Sequence, residues 1–155
     1  MKTRFFVMRR LLSWAMPPLI FGAVTGCAIF KPSFDSASKS FPPLQANQRR
    51  IFFYRDNRML NAGVYAKIYV NGESVGLSSP GVCFYVDRPA GTYIVSCPTG
   101  LGREHAVSCS LAAGETKYIR TTPTWSVLWT ITPTIENEDT AMKTLVTCRY
   151  WGEWR

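Results

Sequence analysis

The stretch Val64-Tyr65-Ala66-Lys67-Ile68-Tyr69-Val70-Asn71-Gly72-Glu73-Ser74-Val75-Gly76-Leu77 decides the fold class. Val64, Ala66, Ile68 and Val70 alternate with Tyr65, Lys67, Tyr69 and Asn71, which is the period-2 pattern of a strand with one face buried. Asn71-Gly72 then supplies a type I′ hairpin turn, because both residues tolerate positive φ, and Ser74 to Leu77 pairs back. Working outward, Ile51-Phe52-Phe53-Tyr54 is a short aromatic strand. Val82 to Asp87 and Thr92 to Cys97 are strands around Arg88-Pro89-Ala90-Gly91, where Pro fixes φ and Gly relieves the turn. His105 to Leu111 places Val107, Cys109 and Leu111 on one face, and Ala112-Ala113-Gly114-Glu115 turns the chain into Lys117 to Thr121. Trp125 to Ile131 reads as one further strand. The period shifts only near the end. Glu138 and Asp139 favour a helix amino terminus, and Ala141, Met142, Leu145 and Val146 form a one-sided apolar stripe. The pattern predicts a mainly β, antiparallel sandwich over residues 49–155 with one short C-terminal helix.

Composition agrees with that class. The chain has 155 residues, 46% of them apolar, 14% aromatic and 18% charged, which is one domain with ample material for a core. Five Cys, ten Pro and eleven Gly favour an exported, turn-rich β domain over a helical bundle. A large multidomain enzyme is excluded.

The first 26 residues do not belong to the fold. Lys2, Arg4, Arg9 and Arg10 form a basic region, followed by the uncharged stretch Leu11 to Val24, which is too short for a permanent membrane span. Met8-Arg9-Arg10 also makes a compact basic start, so translation from Met8 is an alternative to Met1. Val24-Thr25-Gly26-Cys27 resembles the lipobox of bacterial lipoproteins. The resemblance implies cleavage before Cys27, a thioether-linked diacylglycerol on its sulfur and an acylated new amino terminus, so that Cys27 is the lipidation site and the membrane a partner. Ala28 in place of Asp resembles the sorting pattern of outer-membrane lipoproteins in Gram-negative bacteria. Residues 27–48, with Pro32, Pro42 and Pro43, read as the lipidated Cys and a flexible tether. Phe30, Phe34 and Phe41 are candidates to dip into the membrane interface.

Removing the leader takes away four of the 18 basic residues and leaves 14 against 10 acidic ones, near +4 rather than +8. Arg49, Arg50, Arg55 and Arg58 cluster locally, as a solvated strand edge or a contact for anionic headgroups. No helix-turn-helix or RNA-binding motif accompanies them, and export argues against nucleic acid as a partner. Cys83, Cys97, Cys109 and Cys148 remain, an even number that predicts two disulfides in an oxidising compartment. Three connectivities are open. Cys97 and Cys109 flank the Pro98-to-Glu104 connection, which favours a cross-strand bridge there and leaves Cys83 for Cys148. Metal binding is disfavoured by the lack of a C-x-x-C pair and by His105 being the sole His.

From about Ala46 to Cys148 the chain is similar to the domain of unknown function 2846 family of small bacterial lipoproteins. The residues that carry this are Tyr54-Arg55, Val70-Asn71-Gly72-Glu73-Ser74-Val75-Gly76, Val86-Asp87-Arg88-Pro89-Ala90-Gly91-Thr92-Tyr93, and Ala113-Gly114-Glu115-Thr116-Lys117-Tyr118-Ile119-Arg120. The resemblance implies a β-sandwich related in outline to immunoglobulin-like or transthyretin-like modules, and it implies no reaction. The Trp125-to-Thr132 segment and the Cys-rich strands depart from the family pattern.

No catalytic constellation is legible: there is no nucleophile with its base, no paired carboxylates in a motif and no cluster of metal ligands. His105 reads as structural. Glu136, Glu138 and Asp139 precede the apolar stripe and read as helix-terminus electrostatics. Trp125, Trp129, Tyr150, Trp151 and Trp154 concentrate large amphipathic rings at the C-terminal end. They form either a core stripe or an exposed platform for glycan, lipid headgroup or a protein partner, and the tail beyond Cys148 is not needed to close the sandwich. The expectation is a non-catalytic binding or accessory module without cofactor, lipid-anchored on the periplasmic face of the outer membrane. The competing readings are an enzyme acting on envelope polymer and an inhibitor or immunity-type lipoprotein.

Overall fold

Asn71 and Gly72 adopt φ of 49° and 82°, as a type I′ turn requires, and they join β2 (Ala66–Val70) to β3 (Glu73–Ser78). The structure is a computed structural model that describes residues 31–59, 62–99, 103–112, 114–125 and 128–152. The leader, Cys27, Phe30 and Trp154 lie outside the described residues. In chain order the other elements are α1 (Phe34–Ser38), β1 (Gln48–Tyr54), β4 (Val82–Pro89), β5 (Gly91–Thr99), β6 (Arg103–Leu111), β7 (Thr116–Trp125), β8 (Trp129–Glu136), α2 (Glu138–Leu145) and β9 (Arg149–Tyr150).

The strands form two sheets, one of five in the order β8-β7-β1-β4-β9 and one of four in the order β3-β2-β5-β6. The fold is thus mainly β, with one short helix near the C-terminus, as the alternation predicts. Most pairings are antiparallel, but β1 runs parallel to β7, and β4 parallel to β9. Around Ala90 the chain leaves the five-stranded sheet and enters the four-stranded one, so the two strands flanking that turn belong to different sheets.

Between the sheets lies a core of Ile51, Phe53, Phe84, Ile119 and Ile131 facing Ile68, Val70, Val75, Val95, Cys97, Cys109 and Leu111. A second cluster covers the outer face of the five-stranded sheet, where Phe34, Phe52, Tyr54, Tyr85 and Tyr118 meet Ala141 and Leu145 of α2 together with Cys83 and Cys148. This explains why Ile51 to Tyr54 is an unbroken apolar run. Both faces of β1 are buried, so alternation is lost, as it is in any strand covered on both sides.

The stretch read as a flexible tether is docked from Pro32 onward. Ser33 bridges to Arg149 and its hydroxyl caps α1, and the buried Phe34 sets its ring edge-on to Phe52 at 5.8 Å. Phe41 joins the same cluster against Tyr85 and Tyr150, with centroids 5.0 and 4.9 Å away. Burying each of two such rings is worth about 1.5–3 kcal/mol, which outweighs the disorder that Pro-rich composition favours. These Phe residues therefore face the protein rather than a membrane interface.

The basic cluster is also largely internal. Arg50 makes a two-pronged contact with Asp87, both bonds at 2.8 Å, and lies over the Tyr85 ring at 3.9 Å, while Arg55 is buried and donates to the carbonyls of Val64 and Ser78. Arg49 donates to the Ala112 carbonyl, and Arg58 alone of the four is mainly solvated.

Candidate functional site

Residues Thr121 to Thr134 contain no charged side chain. This run builds the β7–β8 hairpin, in which Trp125 stands opposite Trp129. The sequence reading of Trp125 to Ile131 as one strand is therefore corrected: Trp125 ends β7 and Trp129 opens β8. Because Tyr54 at the end of β1 is level with Arg120, the five residues of β7 beyond it extend about 17 Å past the central strand. Thr121, Thr130 and Ile131 are still buried there, and only the very tip of the hairpin stands in solvent. Trp125 is 60% exposed, Leu128 45% and Trp129 36%, and the two indoles lean together with centroids 5.0 Å apart. Thr130 and Thr124 brace the hairpin, since the Thr130 hydroxyl donates to the Thr124 carbonyl and the Thr124 and Thr132 hydroxyls share a bond.

Charges gather at the base of the tip. Tyr54 donates to Glu136 at 2.5 Å, Arg120 contacts both Glu136 and Asp56, and Asp56 also pairs with Arg58. Burial, reinforced by the bond to Glu136, pushes the Tyr54 phenol far above its ordinary value. Arg55, Asp56, Arg58, Arg120, Thr121, Thr122 and Pro123 line an open cleft of about 230 Å³. Asp56 Oδ1 is buried there without a hydrogen-bond partner among the described residues. Met59, one residue beyond Arg58, is almost fully exposed. The end of the molecule thus presents indoles, Leu128 and Met59 beside a solvated guanidinium.

The acidic trio separates. Glu138 and Asp139 lie in the first turn of α2 behind the Asn137 cap, as expected, and Glu138 also accepts a bond from the Tyr118 hydroxyl. Glu136 belongs instead to β8 and the Arg120 network. His105 is half-buried on β6, an edge strand, opposite Cys97. Among the described residues no group of three His, Cys, Asp or Glu is placed to hold a metal, and no helix is long and apolar enough to cross a membrane.

Cys83, Cys97, Cys109 and Cys148 are all buried free thiols. The favoured Cys97–Cys109 bridge does not fit the register, which sets Cys97 opposite His105 and Cys109 opposite Tyr93. Four positions along antiparallel strands separate the two by roughly 14 Å, twice the Cα span a disulfide allows. Cys83 and Cys148 do come together as hydrogen-bonded neighbours. Their contact holds the Cys83 proton in place and draws the Cys148 thiol below its ordinary value.

The tail is part of the fold as far as Trp151. Arg149 and Tyr150 add to the edge of β4, the Tyr150 amide donates to Pro32, and the Trp151 amide donates to Cys83. Trp151 is half-buried beneath Lys31. The four Trp residues singled out in sequence are therefore not one platform: Trp125 and Trp129 share the hairpin tip, and Trp151 sits at the opposite edge of the sheet. The position of Trp125 and Trp129 past Arg120, the last charged residue of β7, inside a charge-free run, is the signal that separates them from the core.

Comparison with curated proteins and with solved structures gave no match. A family model described as "Protein of unknown function (DUF2846)" matches residues 45–129, from just before β1 to the first residue of β8, and so takes in the whole four-stranded sheet and the cleft. With more than half of its length so matched, the chain belongs to the DUF2846 family.

Proposed function

We propose that this protein is a lipid-anchored module of the bacterial envelope, held through Cys27 on the periplasmic face of the outer membrane, and that it acts by binding rather than by catalysis. The observation that carries the binding role is the uncharged hairpin that holds Trp125, Leu128 and Trp129 in solvent. Leaving large apolar rings exposed forgoes the stabilisation of burial, and grouped exposure of this kind marks contact surfaces. Anchoring is supported by Val24-Thr25-Gly26-Cys27 behind a basic and then apolar leader. In an oxidising envelope compartment the adjacent Cys83 and Cys148 form a disulfide, while Cys97 and Cys109 stay reduced in the core.

Intact-mass analysis of protein extracted from membranes tests the anchor. A chain that begins at Cys27 and carries acyl mass supports it, and an unacylated chain starting elsewhere overturns it. Alkylation of the same sample after denaturation should label two thiols, Cys97 and Cys109. Labelling of all four would remove the disulfide.

A further inference from the structure

We propose that the β7–β8 tip seats in the interfacial layer of the bilayer, giving the domain a second, non-covalent hold on the membrane. This rests on the reading of the tip as a binding surface and deepens it by naming the ligand as lipid. The sequence of the tip is suited to that zone. Trp125 and Trp129 flank the exposed Leu128, and indole rings settle at headgroup level while an aliphatic side chain beside them reaches the acyl boundary. Thr121 to Thr134 bring no charge that would have to be desolvated, and their hydroxyls are bonded within the hairpin at Thr124, Thr130 and Thr132. Solvated Arg58, on the rim of the cleft that also includes Pro123, is placed to meet headgroup phosphates.

The docked arm strengthens the case. Because the chain is fixed to the sheet edge from Pro32 onward, only four residues separate the body from acylated Cys27. Four residues span at most about 14 Å, so the domain cannot stand far off the bilayer and some face of it must rest there. The tip lies three strand positions from β9 and about 17 Å further along the strand direction, or roughly 22 Å from the arm. Two holds at that spacing set the tilt of the domain, which a single acylated residue would leave free.

Tryptophan emission tests this, using the membrane-extracted protein reconstituted in vesicles of phosphatidylethanolamine and phosphatidylglycerol with a fraction of brominated acyl chains. The expected result is loss of emission with a blue shift. The double variant Trp125→Phe, Trp129→Phe should lose the part of the quenching and blue shift that the tip contributes, whatever emission the remaining Trp residues keep. Leu128→Glu, at an exposed site that leaves the core intact, should remove the same share of the quenching as the double variant does, since a carboxylate at the tip resists entry into lipid. If Cys27 carries its acyl mass and the emission is neither shifted nor quenched, the tip does not touch lipid and the inference fails while the anchor stands. If the mass shows no acyl group, the anchor reading fails, and quenching on adding the same protein to these vesicles still supports the lipid contact. Quenching reversed by soluble envelope glycan or by a captured protein would assign the tip to that ligand and overturn the proposal.

Discussion

Gly76 sits in β3 with its α-carbon against the ring of Phe84, which in turn stacks on Phe53 at 5.2 Å. A methyl group there would fall inside the Phe84 ring, and neither that ring nor Phe53 can retreat, because both fill the space between the sheets. Gly76→Ala should therefore cost about 1–3 kcal/mol, the range for overpacking a filled core, as a lower urea midpoint at unchanged slope. An unchanged midpoint would mean that the sheets separate more easily than this packing implies. In sequence Gly76 is merely one position of a returning strand, since the contact that makes its missing side chain matter comes from a residue eight positions later in the other sheet. Arg50 and Arg55 were hidden for a similar reason. Four Arg close together read as a solvated surface, and only the partners that fold brings (Asp87 for one, the Val64 and Ser78 carbonyls for the other) make burial of two of them tolerable.

Among the elements, the strands and turns with local signatures were legible. The β2–β3 hairpin, the strands around Pro89-Ala90-Gly91 and α2 all carry their own periodicity or turn chemistry. Partner choice was not, because a period of two says which face is buried and nothing about which strand lies alongside. The parallel β1–β7 pair is invisible for that reason. The docked arm and β9 were missed because a five-residue helix and a two-residue strand are too short to show a period, while Phe34 and Phe41 stand alone in polar sequence and Tyr150 is one ring of an aromatic cluster without alternation. Their contribution can be measured. Deleting residues 149–155 removes the amide bonds to Pro32 and Cys83 and the Tyr150 ring from Phe41 and Tyr85. The deletion should cost about 2–4 kcal/mol, as loss of a half-buried aromatic with its backbone bonds does, and should open residues 32–44 to proteolysis. A loss under about 1 kcal/mol, the range of surface changes, would return the tail to the role of a free appendage.

For the molecule as a whole, the buried neutral acids set its response to alkali. Burial pushes the Cys97 thiol up from 9.0 to about 12, and burial together with the nearby Glu138 carboxylate pushes the Tyr118 phenol up from 10.0 to about 12. In each case the folded state holds the proton more tightly than the unfolded chain. The stabilisation is thus complete below pH 9, declines as pH rises through the interval from 9 to 12, and is gone above it. With Cys83 and Cys148 joined, so that neither thiol titrates, melting temperature should be flat from neutral pH to about 9 and then fall, and Tyr118→Phe should flatten the upper part of that fall. A profile that is level across the whole interval would show that neither group is protected as its burial implies.

The parallel pairing of β1 with β7 also sets an order of assembly. The register joins Arg50 to Thr116 and Tyr54 to Arg120, and the far edge of the same sheet waits for Arg149 and Tyr150. The four-stranded sheet has no such delay, since β2–β3 and β5–β6 close through short connections. Pairings between distant segments form late, because the entropy of closing a long loop must be overcome before any contact rewards it. Folding accordingly starts in one sheet and finishes in the other. β4 can pair with one edge of Ile51-Phe52-Phe53-Tyr54 early, but the other edge waits for β7 and the outer face for α2, so those four residues are where a chaperone or a second unfinished chain has the longest opportunity to bind.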